Sequence, residues 1–224
     1  MKKNFMLGGV AAAVVYIGTV ILGGLLRPDY SHVSMAISEL VADGAPNRLL
    51  LSSLFLLYNL LVCMFGVGLF LRANSQVRGR ASGIVGSLAL IAVGMAGILM
   101  EVAFPQEPGG TAITFAGLMH FVMAGVASLG TMVAVLMLAL WFRKLPEVKG
   151  YVAYSMISVA IIFLSGGMTA AAMANHSPLF GLVERITIFT FTLWMFVIGR
   201  GMAQLEEEPR PLHFEIAGSA SKGK

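Results

Sequence analysis

Six apolar runs, each about 20–25 residues long and separated by short polar breaks, take up nearly the whole chain. A helix needs about 20 apolar residues to cross a hydrocarbon core about 30 Å thick. The pattern therefore predicts an all-α polytopic membrane protein, a six-helix bundle with spans near 5–26, 49–71, 81–103, 113–141, 151–173 and 181–200. Only 12% of the residues are charged, about half the share in a soluble domain, and no stretch outside the runs is long enough to bury a core. Residues 1–202 are expected to form one transmembrane domain, followed by a disordered tail over 203–224 that contains Pro209 and Pro211. Lys2 and Lys3 before the first run resemble the start of a secretory signal. The run from Phe5 to Leu26 is too long for a signal's apolar core and no small-residue cleavage site follows, so a retained first span is expected.

The basic residues set the expected orientation. Twelve of the fifteen Lys and Arg fall at the N-terminus, in the second and fourth loops and in the C-terminal segment; only Arg27, Arg48 and Arg185 fall on the other side. Positive charge is retained on the cytoplasmic side of a membrane protein. Both termini are thus expected on the cytoplasmic side of the membrane. The same rule accounts for the net charge of +4 without nucleic acid, which is not expected as a partner. The single cysteine, Cys63, excludes an intrachain disulfide and a thiolate metal cluster.

Small residues mark where membrane helices approach closely. Gly83, Gly86, Ser87, Gly94 and Gly97 share one face of the third span with Glu101, and Ser52, Asn59, Cys63 and Gly66 share one of the second. Ser155, Ser158, Ser165, Thr169 and His176 align along the fifth. Asn59 lies near the midplane, where an interhelical hydrogen bond is expected of it.

The remaining ionisable groups collect at the expected outer end. Glu101 closes the third span, His120 lies near the start of the fourth, His176 follows the fifth, and Glu184 with Arg185 opens the sixth; His32 and Glu39 sit in the first outer loop. Ionisable groups near hydrocarbon are costly and tend to pair inside the bundle, so a shared outer-leaflet site of Glu39, Glu101, His120, Glu184, Arg185, His32 and His176 is predicted. Structural readings stand beside it. Glu184 suits the start of a helix, Glu101 needs a cation and has Arg185 or Arg48 to choose from, His120 suits packing, and His32 and His176 suit an exposed loop. Residues Ser31 to Val41 space Val33, Ile37, Leu40 and Val41 as an amphipathic helix, a possible lid, which Asp43-Gly44-Ala45-Pro46 ends.

Pro28-Asp29-Tyr30, Ile37-Ser38-Glu39-Leu40, Glu101-Val-Ala-Phe-Pro105, His120 and Glu184-Arg185 together resemble the six-span prokaryotic membrane family known as domain of unknown function 998. Val41 stands where that family's pattern has Gly, so the turn is expected later, at Gly44. The first loop is more distantly similar to the six-span Frag, DRAM (autophagy modulator) and Sfk-type proteins. The resemblance implies six helices and an outer polar site, and no settled activity.

Three functions fit these residues. The first is a non-enzymatic protein that binds a lipid headgroup or small ligand, or serves as an accessory subunit; membrane lipids are then its partners, with a homo-oligomer or membrane complex as a further one. The second is a metal-dependent intramembrane lipid hydrolase in which Glu101, His120 and Glu184 hold zinc, although no H-x-x-x-H or H-E-x-x-H spacing occurs. The third is a small-solute or proton-coupled carrier, which the lack of a midplane carboxylate disfavours. No cofactor is expected; haem would need His120 and His176 on facing helices.

Overall fold

Proline placement explains where the helices stop. Pro28, Pro46, Pro105, Pro108, Pro146 and Pro178 all lie between the long α-helices, Pro108 and Pro146 at the start of short 3-10 turns, so no ring interrupts the hydrogen-bond ladder of a long helix. The computed structural model describes residues 2–206. Within them are six long α-helices: α1 (Lys2–Leu26), α2 (Arg48–Asn74), α3 (Arg80–Val102), α4 (Phe115–Phe142), α5 (Tyr151–Ala174) and α6 (Phe180–Leu205). Each is long and apolar enough to cross a membrane. At 1.5 Å per residue they measure about 35–42 Å, enough to cross the hydrocarbon and reach into both headgroup layers. α6 runs on through Leu205, past residue 203 where the polar tail was expected to start; the rest of that expected tail lies outside the described residues.

Each helix packs on its neighbours in sequence and α6 closes back on α1, so the bundle is a ring. Small residues set the closest approaches, as the stripes predict. At the α1–α6 crossing, a Cβ on Gly9 would come within 2.8 Å of the Met195 carbonyl, and one on Gly199 within 2.8 Å of the Met6 carbonyl. Gly83, Gly86, Ser87, Gly94 and Gly97 of α3 are all buried. Asn59 is buried too, but its amide donates to the Phe55 carbonyl of its own helix, at 2.9 Å, and presses on Gly97. The expected bond between helices is replaced by side chain on backbone. Most other hydroxyls also bond one turn back within their helix. Two do cross from α5 to α6: Thr187 to Ser165 at 2.7 Å, and the Trp194 indole to Ser155 at 2.9 Å.

The two ends differ in how they close. At the Lys- and Arg-rich end, Arg72 clasps Glu206 at 2.5 Å and Glu147 at 3.6 Å, tying the ends of α2 and α6 to the turn between α4 and α5. At the opposite end the long first loop folds back over the bundle and makes the candidate site.

Candidate functional site

The loop after α1 is too apolar to stay in water, since Ile37, Leu40 and Val41 are buried. It turns through residues 31–36 and then forms a short 3-10 helix, Ile37–Val41. The expected amphipathic helix over residues 31–41 is thus shortened, and Val33 is exposed. The reason is the backbone pairing of this segment. Three groups at alternate positions, the carbonyls of Val33 and Met35 and the amide of Ile37, are taken up by the first two turns of α6, which leaves no i+4 ladder for them. The Leu182 amide donates to Val33 at 2.9 Å, Arg185 donates to Met35 at 3.0 Å, and the Glu184 carboxylate accepts from Ile37 at 2.8 Å. Glycines form the seat. A Cβ on Gly181 would sit 2.3 Å from the Met35 carbonyl, and one on Gly24 would sit 2.1 Å from the His32 ring.

Arg185 is the hub of this contact. It is 6% exposed, and its guanidinium donates to Met35, to Gly181 of its own helix at 2.8 Å and to the Tyr30 hydroxyl. Tyr30 donates in turn to the Ala36 carbonyl at 2.8 Å. Burial pushes the Tyr30 phenol up to about 12, with the nearby Arg185 charge opposing. Glu39 accepts from the Ala36 amide at 3.3 Å, and Arg27 donates to the Glu39 carbonyl at 2.8 Å. Past this helix, Gly44 has φ +79°, so the turn falls where the sequence places it.

Several expected partners are corrected. Glu184 does not cap its own helix; its carboxylate caps the 3-10 helix across the gap. Glu101 pairs with neither Arg185 nor Arg48 as an ion pair. It accepts a hydrogen bond from the Ser52 hydroxyl, and Arg48, one turn earlier on α2, pairs with Asp43 at 2.7 Å. His120 is buried with its Nδ1 2.8 Å from the Phe104 carbonyl, so it fastens the loop between α3 and α4. His32 is largely exposed, edge-on to Tyr30 with its ring against Gly24, and its pKa is lowered by that partial desolvation and then by the Arg185 charge. His176 is exposed at the end of α5 with φ +49° and joins none of the others. The structure therefore brings together Glu39, Glu184 and Arg185 with His32 at their edge. Glu101 on α3 is bonded instead to Ser52 of α2, His120 on α4 is bonded to the loop before it, and His176 stands apart. Among the described residues no three His, Cys, Asp or Glu side chains are grouped to hold a metal ion.

Two residues were not anticipated. Tyr30 belongs to the Pro28-Asp29-Tyr30 segment, but its link to Arg185 spans 155 positions, and nothing local signals it. Glu107 has a local signal, an acid shortly before the Thr114 N-cap of α4. Its carboxylate accepts from the Ile113 amide at 2.7 Å, from the Thr114 amide at 2.8 Å and hydroxyl at 2.5 Å, and from the Thr111 hydroxyl at 3.1 Å. The Thr114 hydroxyl and then those amides hold Glu107 down at about 2. This loop also touches the first: the Asp43 amide donates to the Gln106 carbonyl at 3.0 Å.

A six-helix ring closed at one end by a folded-back loop, with buried charge at the seam between loop and ring, defines an integral membrane protein of the six-span class. Its family follows from a direct match. The model described as "Protein of unknown function (DUF998)" covers residues 10–201, and the chain belongs to that family. No curated protein and no solved structure matches the chain, and nothing found supports the more distant resemblance to the Frag, DRAM and Sfk-type proteins.

Proposed function

We propose that this chain is a non-enzymatic membrane protein that binds the amine-bearing headgroup of a lipid at the rim of its loop-covered end, with Glu101 as the recognising group. The observation that carries this reading is the state of Glu101. It lies in the last turn of α3, which is headgroup depth in this reading, half-buried and bonded to a neutral hydroxyl, and among the described residues it makes ion-pair contact with no cation. A carboxyl group at that depth gains most from an ammonium partner. Arg48 stands on the same rim, 39% exposed; one of its nitrogens pairs with the half-exposed Asp43, and its other N–H groups suit the phosphate of the same headgroup. Leu49 (84% exposed) and Val102 (69% exposed) flank the pair and suit the acyl chains. By contrast, Glu184 and Arg185 are occupied in holding the loop. Glu101, His120 and Glu184 are each held by a different element, so neither the hydrolase nor the carrier gains a specific observation in its favour.

In this reading the loop-covered end faces outward, both termini face the cytoplasm, and the membrane is the prokaryotic inner membrane. Native mass spectrometry of protein extracted with its own lipids tests the site. Wild type is expected to retain about one phosphatidylethanolamine-like lipid through release from the detergent, and Glu101→Gln and Arg48→Gln to lose it. Equal retention by all three would overturn the reading.

A further inference from the structure

The ring is least complete between α4 and α5, which touch less than any other pair of neighbouring helices. Toward the Lys- and Arg-rich end both bury residues. Toward the loop-covered end neither buries one over a long stretch, 121–130 on α4 and 166–174 on α5. Positions seven apart share a helix face, so each face can be followed along its helix. On α4, Phe142 and Val135 are fully buried, and Ser128, next on the same face, is exposed. On α5, Val152 and Val159 pack on the core, whereas a Cβ on Gly166, next on their face, would meet nothing within 4 Å. The remaining contacts hold the two helices to other partners: Gly130 of α4 faces Val93 of α3, and Ser165 of α5 bonds Thr187 of α6 at 2.7 Å. The two helices therefore part, and a side opening leads from the lipid into the ring.

Across the ring from that opening is the seam of α1 and α2, since a closed ring of six sets α1 opposite α4 and α2 opposite α5. Tyr16 and Tyr58 meet at this seam with ring centroids 4.6 Å apart, and Phe55 lies 5.3 Å from Tyr16. Both tyrosines turn inward: each is 7% exposed, whereas Val14 and Ile21 on the far side of α1 and Leu60 on the far side of α2 face the lipid. On the wall opposite, Thr131 of α4 is also 7% exposed. Among the described residues none of these three hydroxyls has a hydrogen-bond partner, and none is sealed by protein as the Trp141 indole nitrogen is, so each borders open space within the bundle. They lie at one depth. Tyr16 and Tyr58 are each ten residues, about 15 Å, in from the loop-covered end of their helix, and Thr131 is level with Val93, nine residues from the end of α3. That is below the headgroups, where a charged head is costly. We propose that the α4–α5 opening admits an isoprenoid quinone from the lipid, its head held between Tyr16 and Tyr58 on one wall and Thr131 on the other. A quinone head is uncharged and flat and carries carbonyl oxygens on opposite edges, so hydroxyls on both walls donate to it at once, and Phe55 with the two phenols offers aromatic faces to its ring. Its tail leaves past Ser128 and Gly166.

The tyrosines themselves report binding. The chain has five, so protein labelled with 3-fluorotyrosine gives few enough fluorine NMR signals to assign by replacing each with Phe. Full-length labelled protein in phosphatidylcholine nanodiscs is titrated with decylubiquinone, and in parallel with dioleoylglycerol. The signals of Tyr16 and Tyr58 should shift together and saturate with the quinone, while those of Tyr151 and Tyr154, at the Lys- and Arg-rich end, stay in place. Two further variants separate a built site from quinone dissolved in the bilayer. Thr131→Val keeps the shape, removes the hydroxyl and should raise half-saturation by about two- to tenfold, the worth of one neutral hydrogen bond. Gly166→Leu fills the opening where a Cβ meets nothing and should abolish saturation; Ser128→Leu, from the opposite wall, should do the same, and an unchanged thermal midpoint shows that the bundle is intact. No saturable shift with the quinone, an equal or larger response to dioleoylglycerol, or an unchanged half-saturation in these variants overturns the proposal.

Discussion

Replacing Gly181 by alanine is expected to unseat the first loop while leaving the six-helix ring intact. The added Cβ would stand 2.3 Å from the Met35 carbonyl oxygen and 2.8 Å from the Arg185 guanidinium. The first of these is backbone, so the loop has to retreat by about 1 Å to restore van der Waals contact. That movement takes the Leu182–Val33 bond at 2.9 Å and the Arg185–Met35 bond at 3.0 Å beyond hydrogen-bonding range. One neutral and one charge-assisted bond are worth about 2–4.5 kcal/mol together, and the gain in helix propensity from glycine to alanine returns up to about 1 kcal/mol. The net, about 1–3.5 kcal/mol, corresponds to a rise of roughly 5- to 400-fold in the opening constant of the loop. Hydrogen exchange in nanodiscs reads this at the amides of Met35, Ala36, Ile37 and Glu39, all bonded in the closed loop. Amides in the middle of α1 and α6 should not change. Gly125→Ala serves as the control, because nothing lies within 4 Å of its Cβ. If Gly181→Ala leaves exchange of the loop at the wild-type rate, the glycine seat does not hold it.

Three further outcomes follow from the same contacts. Tyr30→Phe removes the link between Arg185 and the Ala36 carbonyl and should destabilise the loop by about 1–3 kcal/mol, read as faster exchange at the same amides; an unchanged rate contradicts the hub role of Arg185. Glu107 is held below its ordinary value of 4.5, at about 2, so its contribution is fully present above about pH 4.5 and is lost as the pH falls toward 2. The start of α4 should therefore fray over that window in wild type, whereas in Glu107→Gln the same window should show no transition; a matching acid transition in the variant would contradict the assignment. Gly97→Leu places carbon where a Cβ alone would already stand 2.0 Å from the Asn59 side chain and should lower the thermal midpoint in detergent, with Asn59→Ala recovering part of the loss. Full stability of Gly97→Leu alone would show that α2 and α3 are not in close contact there.

The helices were legible because their signal is local and repeated. The apolar runs bounded by Pro28, Pro46, Pro105, Pro146 and Pro178 need no tertiary information, and the small residues of α3 reveal its packed face through periodicity alone. The charged residues were legible in depth but not in pairing. Glu184 and Arg185 were placed at the loop-covered end from sequence, yet their partners, Ile37, Met35 and Tyr30, are set by the path of an irregular loop, and such a path has no period to read. Glu101 illustrates the limit: its need for a partner was apparent, but the nearest guanidinium, Arg48, was already taken by Asp43, a choice that depends on the turn at Gly44.

The 147 positions between Ile37 and Glu184 also impose an order of events. At about 5–20 residues per second, the ribosome needs about 7–30 s to go from one to the other. The first loop leaves the ribosome early, with Ile37, Leu40 and Val41 ready to be buried and no final helix to receive them. It must wait, apolar and unfastened, until the end of the chain is made, so the earliest exposed segment is among the last to reach its native contacts.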